Sequence, residues 1–179
     1  MKIVAISGSM REESYNTKAL HLAIDIAKEV DANVEEILLK EFDLPLFNED
    51  VEAEGYPRNV QKIYKKIDEC DLLIIASPEY NHSISGVLKN AIDWLSRDGN
   101  HLKGKTAVIF GASTGGFGTV KGQLHLREIL SNLDVLVYPQ PRMFISFAHE
   151  AFDDKGMFKD KDNYKRLKKL IINTISNIK

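Results

Sequence analysis

Apolar and polar positions follow two regimes along the chain. Three short runs, KIVAIS (2–7), DLLIIAS (71–77) and KTAVIFGA (105–112), are almost continuously apolar. Unbroken runs of this length mark parallel strands covered on both faces, where each side of the pleat meets a helix. NVEEILL (33–39) is more mixed, and DVLVYP (134–139) ends at a proline. Between the runs, helical patterns cover about 16–30, 57–69, 85–96 and 119–133. A last one, about 161–178, sets Leu167, Leu170, Ile171, Thr174, Ile175 and Ile178 along one side. Strand and helix alternate five times. The pattern predicts an α/β protein built of right-handed βαβ units: a doubly wound, five-stranded parallel sheet with helices on both faces. No repeat or linker interrupts residues 1–179, which read as one domain. The longest irregular stretch, KEFDLPLFNEDVEAEGYP (40–57), reads either as a lid or as a surface excursion held by Leu44, Leu46 and Phe47.

Composition narrows the partners. The formal charge is −2 over 179 residues, which points to neither a nucleic-acid surface nor the strongly acidic surface of an electron carrier. The single cysteine, Cys70, excludes an intrachain disulfide and a cysteine-rich zinc site, and suits a reducing compartment. The five histidines show no metal-ligand spacing. No apolar stretch approaches the roughly 20 residues of a membrane span, and no secretory leader follows Lys2. A cytoplasmic protein with no membrane or nucleic-acid partner is expected.

In doubly wound sheets, ligands bind beyond the carboxyl ends of the strands, where the strand order reverses. The loops after the first, third and fourth strands are therefore the ones to read. The first, SGSMREESYN (7–16), is neither GxGxxG nor a Walker A loop: after Gly8 the further glycines that let a backbone pass beneath a diphosphate are missing. Ser9, Arg11, Ser14, Tyr15 and Asn16 instead offer side-chain donors beside a helix start, a match for a terminal phosphate monoester. The plainer alternative is that Ser14 or Asn16 caps the helix and Arg11 is solvated. The second, SPEYNHSISGVLKNAIDWLSR (77–97), has Pro78 to stop the strand and Tyr80 as a flat ring. Glu79 and Asn81 there would read a heterocycle edge, and Ser83 or Ser85 caps the next helix. In the third, GASTGGFGTVKGQLHLREIL (111–130), Gly115, Gly116 and Gly118 free the backbone for close approach, beside Ser113 and Thr114. A phosphate at one end and a planar polar heterocycle at the other describe flavin mononucleotide, FMN.

The same motifs resemble those of the NADPH-dependent FMN reductase family, over Lys2 to about Phe158. GSMREESYN is similar to the family's GSxRxxSxN phosphate loop, PEYNHSISGVLKNAIDWLSR to its PEYNxSxPGxLKNAxDW segment, and GGFGTVKGQLHLREIL to its GGxGGxxxxxxLRxxL segment. FAHEAFDDKG (147–156) resembles the family's region after the last strand. The resemblance implies a flavodoxin-like fold. It also implies that Ser9, Arg11, Ser14, Tyr15 and Asn16 hold the FMN phosphate. Pro78, Glu79, Tyr80 and Asn81 would line the isoalloxazine, with Ser113, Thr114, Gly115 and Gly116 completing the ring site. Two positions depart: Ser85 stands where many members have proline, and Thr119 where many have glycine. Similar proteins form dimers or tetramers, and Ile92, Trp94 and Leu95 mark either a contact surface or, for Trp94, core.

The implied chemistry is a ping-pong cycle in which hydride passes from NADPH to FMN N5 and on to a quinone, azo, nitro, chromate or flavin acceptor. No side chain is then obligatory as acid, base or nucleophile, so no catalytic residue and no metal ligand is expected. His82 reads as exposed in the ring loop, and Cys70 as a small packed residue. The alternatives are a flavodoxin-like electron carrier, a regulatory flavin-binding protein, or an enzyme of another class on this fold.

Overall fold

The computed structural model describes residues 1–178. β1 (Lys2–Ser7) runs through the sheet interior, with β2 (Asn33–Leu38) parallel to it on one side and β3 (Leu72–Ala76) on the other. β4 (Thr106–Ala112) follows β3, also parallel. The unbroken apolar runs are explained by alternation between two cores rather than between core and solvent. Ile3 and Ala5 point into one buried cluster, Val4 and Ile6 into the other. Leu72, Ile74 and Ala76 are likewise divided from Leu73 and Ile75. β2 is mixed because it is the edge: Glu35 and Glu36 are not buried, while Ile37 is.

α1 (Tyr15–Lys28) covers one face together with the C-terminal helix. A short α2 (Glu49–Ala53) precedes α3 (Arg58–Asp68), which packs on the opposite face with α4 (Gly86–Leu95) and α5 (Val120–Asn132). α6 (Ala148–Ala151) is one turn, and α7 (Lys161–Ile178) completes the first face with Leu167, Leu170, Ile171 and Ile175 buried. No helix among the described residues is long and apolar enough to cross a membrane.

Three expectations need correction. The fifth strand, expected over 134–139, is confined to β5 (Leu136–Val137), paired with Thr106 and Ala107. Pro139 and Pro141 carry no N–H for a ladder. The chain returns as β6 (Met143–Ile145), paired in parallel with Phe110–Ala112. Two short strands in tandem thus fill the fifth position, and the order is β2-β1-β3-β4-β5 with β6 also on β4. Second, 40–57 is not structureless, since it carries part of a 3-10 turn and α2. Leu44 and Phe47 pack on the core as expected, but Leu46 is 82% exposed. Third, Ile92, Trp94 and Leu95 are buried within the chain and offer no contact surface. The 42–47 segment covers them: the Pro45 carbonyl accepts from Trp94 Nε1 at 2.8 Å and Asn90 Nδ2 at 2.9 Å, and Phe47 meets the Trp94 ring edge-on.

Candidate functional site

The strand order reverses at β1 and β3, whose following loops leave from neighbouring ends of the sheet. A cavity of about 250 Å³ opens there, bounded by the loops after β1, β3 and β4. Ser9, Arg11, Ser14, Tyr15 and Asn16 line it from the first loop, Pro78, Glu79 and Tyr80 from the second, and Ala112, Ser113 and Thr114 from the third. Of the expected residues, Asn81, Gly115 and Gly116 stand outside the lining. A larger cleft of about 600 Å³ lies beside β2 and α3, lined chiefly by lysines and glutamates. None of the three loops reaches it.

The first loop is held from below and from the side. Ser14 is the N-cap of α1, its hydroxyl accepting from Thr17 N–H at 3.2 Å. A helix start leaves four N–H groups without intrahelical partners, and this cap meets one of them, that of Thr17. Ser9 and Ser14 are both buried. Arg11 is exposed, folded over the Tyr15 ring at 5.0 Å, and donates to the Glu13 carbonyl. Tyr15 in turn stacks on Phe152, and Phe152 on Phe158. Asn16 has a role that its residue type alone does not reveal. Its Nδ2 donates to the Ala112 carbonyl at 3.0 Å, and its Oδ1 accepts from Ala112 N–H at 2.8 Å. That amide ties α1 to the end of β4.

The second loop turns tightly after Tyr80. Tyr80 and Ser83 exchange backbone hydrogen bonds at 3.0 Å around Asn81 and His82, both at positive φ, so Asn81 serves the turn. His82 is exposed, with Lys121 Nζ 3.2 Å from its ring nitrogens. Glu79 also reaches the first turn of α5, accepting from Gly122 N–H at 2.7 Å. Ser85 caps α4 and donates to the Gly8 carbonyl at 2.6 Å, which ties the first and second loops together. Thr119 is fully buried, its hydroxyl accepting from Gln123 Nε2 at 2.8 Å. Of the two positions that depart from the family pattern, Ser85 ties one loop to another, while Thr119 bonds Gln123 in its own helix, whose Nε2 also donates to the Met143 carbonyl.

Two glycines are fixed by close approach: Gly8, which opens the first-loop motif, and Gly111, which the motifs did not single out. A Cβ on Gly111 would lie 2.1 Å from the Ser77 carbonyl oxygen, and one on Gly8 3.2 Å from the Leu88 side chain. Gly116 makes room for the Phe147 ring, 3.0 Å from where its Cβ would be. Ala112 lines the cavity and Phe147 packs on Gly116 of the third loop, and neither was expected from the sequence. Ala112 has no side-chain chemistry to signal it, and Phe147 arrives from beyond β6.

The donor set fits FMN. Two buried hydroxyls, a guanidinium and a helix start with N–H groups to spare suit a dianionic phosphate at one end. Pro78, Tyr80 and the Ser113–Thr114 backbone offer an apolar and hydrogen-bonding border for a flat heterocycle at the other. No group of three or more His, Cys, Asp or Glu side chains is placed to hold a metal among the described residues.

Comparison with known proteins agrees. The profile of the NADPH-dependent FMN reductase family matches residues 1–150. An NAD(P)H-dependent FMN reductase of Pseudomonas aeruginosa is 45% identical over 161 residues, 89% of this chain and 85% of the relative. An NAD(P)H:quinone oxidoreductase of Solanum tuberosum is 38% identical over 175 residues, covering 96% and 90%. The solved structure of FerB, a flavoenzyme NAD(P)H:(acceptor) oxidoreductase from Paracoccus denitrificans, superposes with a TM-score of 0.87 at 31% identity over 99% of this chain and 96% of that one. An archaeal flavodoxin shares the fold, with a TM-score of 0.69 at 12% identity over 99% of each chain. With the profile spanning most of its length, the chain belongs to the NADPH-dependent FMN reductase family.

Proposed function

We propose that this protein is an NAD(P)H-dependent FMN oxidoreductase that delivers two electrons to a small acceptor, a quinone foremost. The observation that carries this reading is the convergence of three loops on one cavity, with phosphate donors at one end and Pro78 and Tyr80 at the other. The relatives named above supply the activity by similarity. Ser9, Arg11, Ser14 and the N–H groups of Tyr15 and Asn16 hold the phosphate, while Asn16 and Glu79 set the loop positions. Pro78, Tyr80, Ser113 and Thr114 border the ring, while Asn81, Gly115 and Gly116 shape the turns beside it. When bound, FMN supplies the hydride-accepting and hydride-donating chemistry, and the chain contributes position, exclusion and electrostatics.

NADPH and the acceptor take turns at one opening, a ping-pong order. For a quinone the balance is NADPH plus H⁺ plus quinone giving NADP⁺ plus hydroquinone. The proton is drawn from solvent, so no side chain is assigned as catalytic. Azo, nitro, chromate and free-flavin acceptors fit the same opening. The protein works in the cytoplasm as a homodimer or homotetramer, through a surface other than the buried Ile92, Trp94 and Leu95.

Two measurements test this reading. Initial rates at several fixed quinone concentrations give parallel double-reciprocal lines for the ping-pong order, whereas intersecting lines exclude it. Arg11→Ala weakens FMN binding by about 10- to 100-fold, the cost of a charge-assisted hydrogen bond, and leaves riboflavin binding, which involves no phosphate, nearly unaffected. Equal losses for both flavins would remove Arg11 from the phosphate site.

A further inference from the structure

Phe147 occupies a backbone conformation that suits it poorly. Its φ of 45° and ψ of 48° lie in the left-handed region. Glycine adopts that region without steric cost, and a bulky L residue does not. Backbone hydrogen bonds fix it there: Phe147 N–H to the Gly115 carbonyl at 3.3 Å and Ala148 N–H to the Ser113 carbonyl at 3.0 Å. Ser113 N–H donates back to the Ile145 carbonyl at 3.0 Å. The strain does not serve burial, because Phe147 is 53% exposed. Its ring instead lies against Gly116, on the loop whose Ser113 and Thr114 line the cavity. Phe117, on the same loop, and Tyr80, on the neighbouring one, also leave their rings exposed. A strained position that presents an aromatic ring to solvent, against a loop that borders a ligand cavity, marks a binding device more than a packing one.

We infer that Phe147 is a specificity-determining residue: its ring forms an aromatic wall at the mouth of the site and holds planar aromatic acceptors by stacking, in preference to compact ones. The inference rests on the reductase reading above. It assigns the ring to the acceptor rather than to NADPH on a physical ground. A dinucleotide has a pyrophosphate, two riboses and an adenine by which to be held, so one stack is a small part of its binding. A quinone has little beyond two flat faces and two carbonyl oxygens, so an offset stack is a large part of its binding.

The test uses FMN-loaded wild type, Phe147→Gly and Phe147→Tyr, with 1,4-naphthoquinone as planar acceptor and ferricyanide as compact one. In Phe147→Gly the ratio of kcat/KM for naphthoquinone to that for ferricyanide falls about tenfold, the worth of one good aromatic pair. The equilibrium Kd of naphthoquinone for the oxidised holoprotein, read from the visible spectrum without NADPH, rises by the same factor. The melting temperature of the flavin-free variant holds or rises, because glycine relieves the backbone. Phe147→Tyr restores the ratio and the Kd. An unchanged ratio and Kd in Phe147→Gly would overturn the inference alone. A lowered melting temperature with weakened FMN binding would also overturn it, making the residue a structural one. Wild type that passes electrons from NADPH not even to ferricyanide would overturn the reductase reading and this inference with it.

Discussion

At Gly111 and Asn16 single atoms decide whether the loops of the site meet. A Cβ at Gly111 would collide with the Ser77 carbonyl oxygen at 2.1 Å and Thr119 Oγ1 at 2.5 Å, and the first of these is backbone and cannot step aside cheaply. Gly111→Ala is expected to cost about 3 kcal/mol and to weaken FMN binding, both read from thermal melts and flavin titration. Asn16→Ala leaves the Ala112 N–H and carbonyl without their side-chain partner and is expected to cost about 2 kcal/mol, again read from melting. Cys70 is 4% exposed, and burial pushes its thiol up to about 11. At pH 8 only about one thiol in a thousand is then ionised, so a thiol reagent is expected to modify Cys70 at the rate of unfolding. Residue types around the cavity were legible in the sequence because a cluster of hydroxyls with an arginine at a strand end stands out by composition. The bracing done by Asn16, Glu79 and Ser85 was not, because a side-chain amide or hydroxyl looks the same whether its partner is a ligand or a backbone 96 positions away, as for Asn16 and Ala112.

The 40–57 segment shows what pattern reading misses at the scale of an element. Its 3-10 turn and α2 are too short to leave a periodicity. Its anchors, Asn90, Trp94 and Arg97, lie on α4 and just beyond it. None of its residues lines the cavity between the three loops, and it packs over α3 and α4. Its attachment is expected to depend on pH. The hydrogen bond from Arg97 Nε, 2.9 Å from Glu52 Oε1, holds the Glu52 carboxyl below its ordinary value of 4.5, against the opposing pull of partial burial. A carboxyl whose folded value is depressed stabilises fully above its unfolded value, and that contribution is lost as pH falls through the folded one. Hydrogen exchange at 49–53 is therefore expected to quicken relative to the sheet as pH drops below about 4.5, after correction for intrinsic rates, and Arg97→Ala is expected to remove that dependence. The split fifth strand has a similar origin: DVLVYP carried the right composition, but the two prolines after Tyr138 take the backbone out of the ladder before β6 resumes it.

For the whole molecule, alternation of strand and helix was enough to give the doubly wound sheet, since each continuous apolar run feeds two cores through one pleat. That architecture fixes the place of the site, and the cavity where β1 and β3 part is the consequence. Binding energy at that place is shared with the fold. FMN at about 100 times its Kd is expected to add about 2.7 kcal/mol, or about 5–10 °C in melting temperature, with riboflavin at the same concentration giving less because it offers nothing to Arg11 and the α1 N-terminus. The central claim is that the bound flavin is reduced by NADPH and reoxidised by a small acceptor. It is tested most directly by the visible spectrum of the FMN-loaded protein under anaerobic conditions, before and after NADPH and again after a quinone. The account predicts a perturbed flavin spectrum that NADPH bleaches promptly and the quinone restores. A bound flavin that NADPH leaves oxidised would contradict it and make the protein an electron carrier of the same fold.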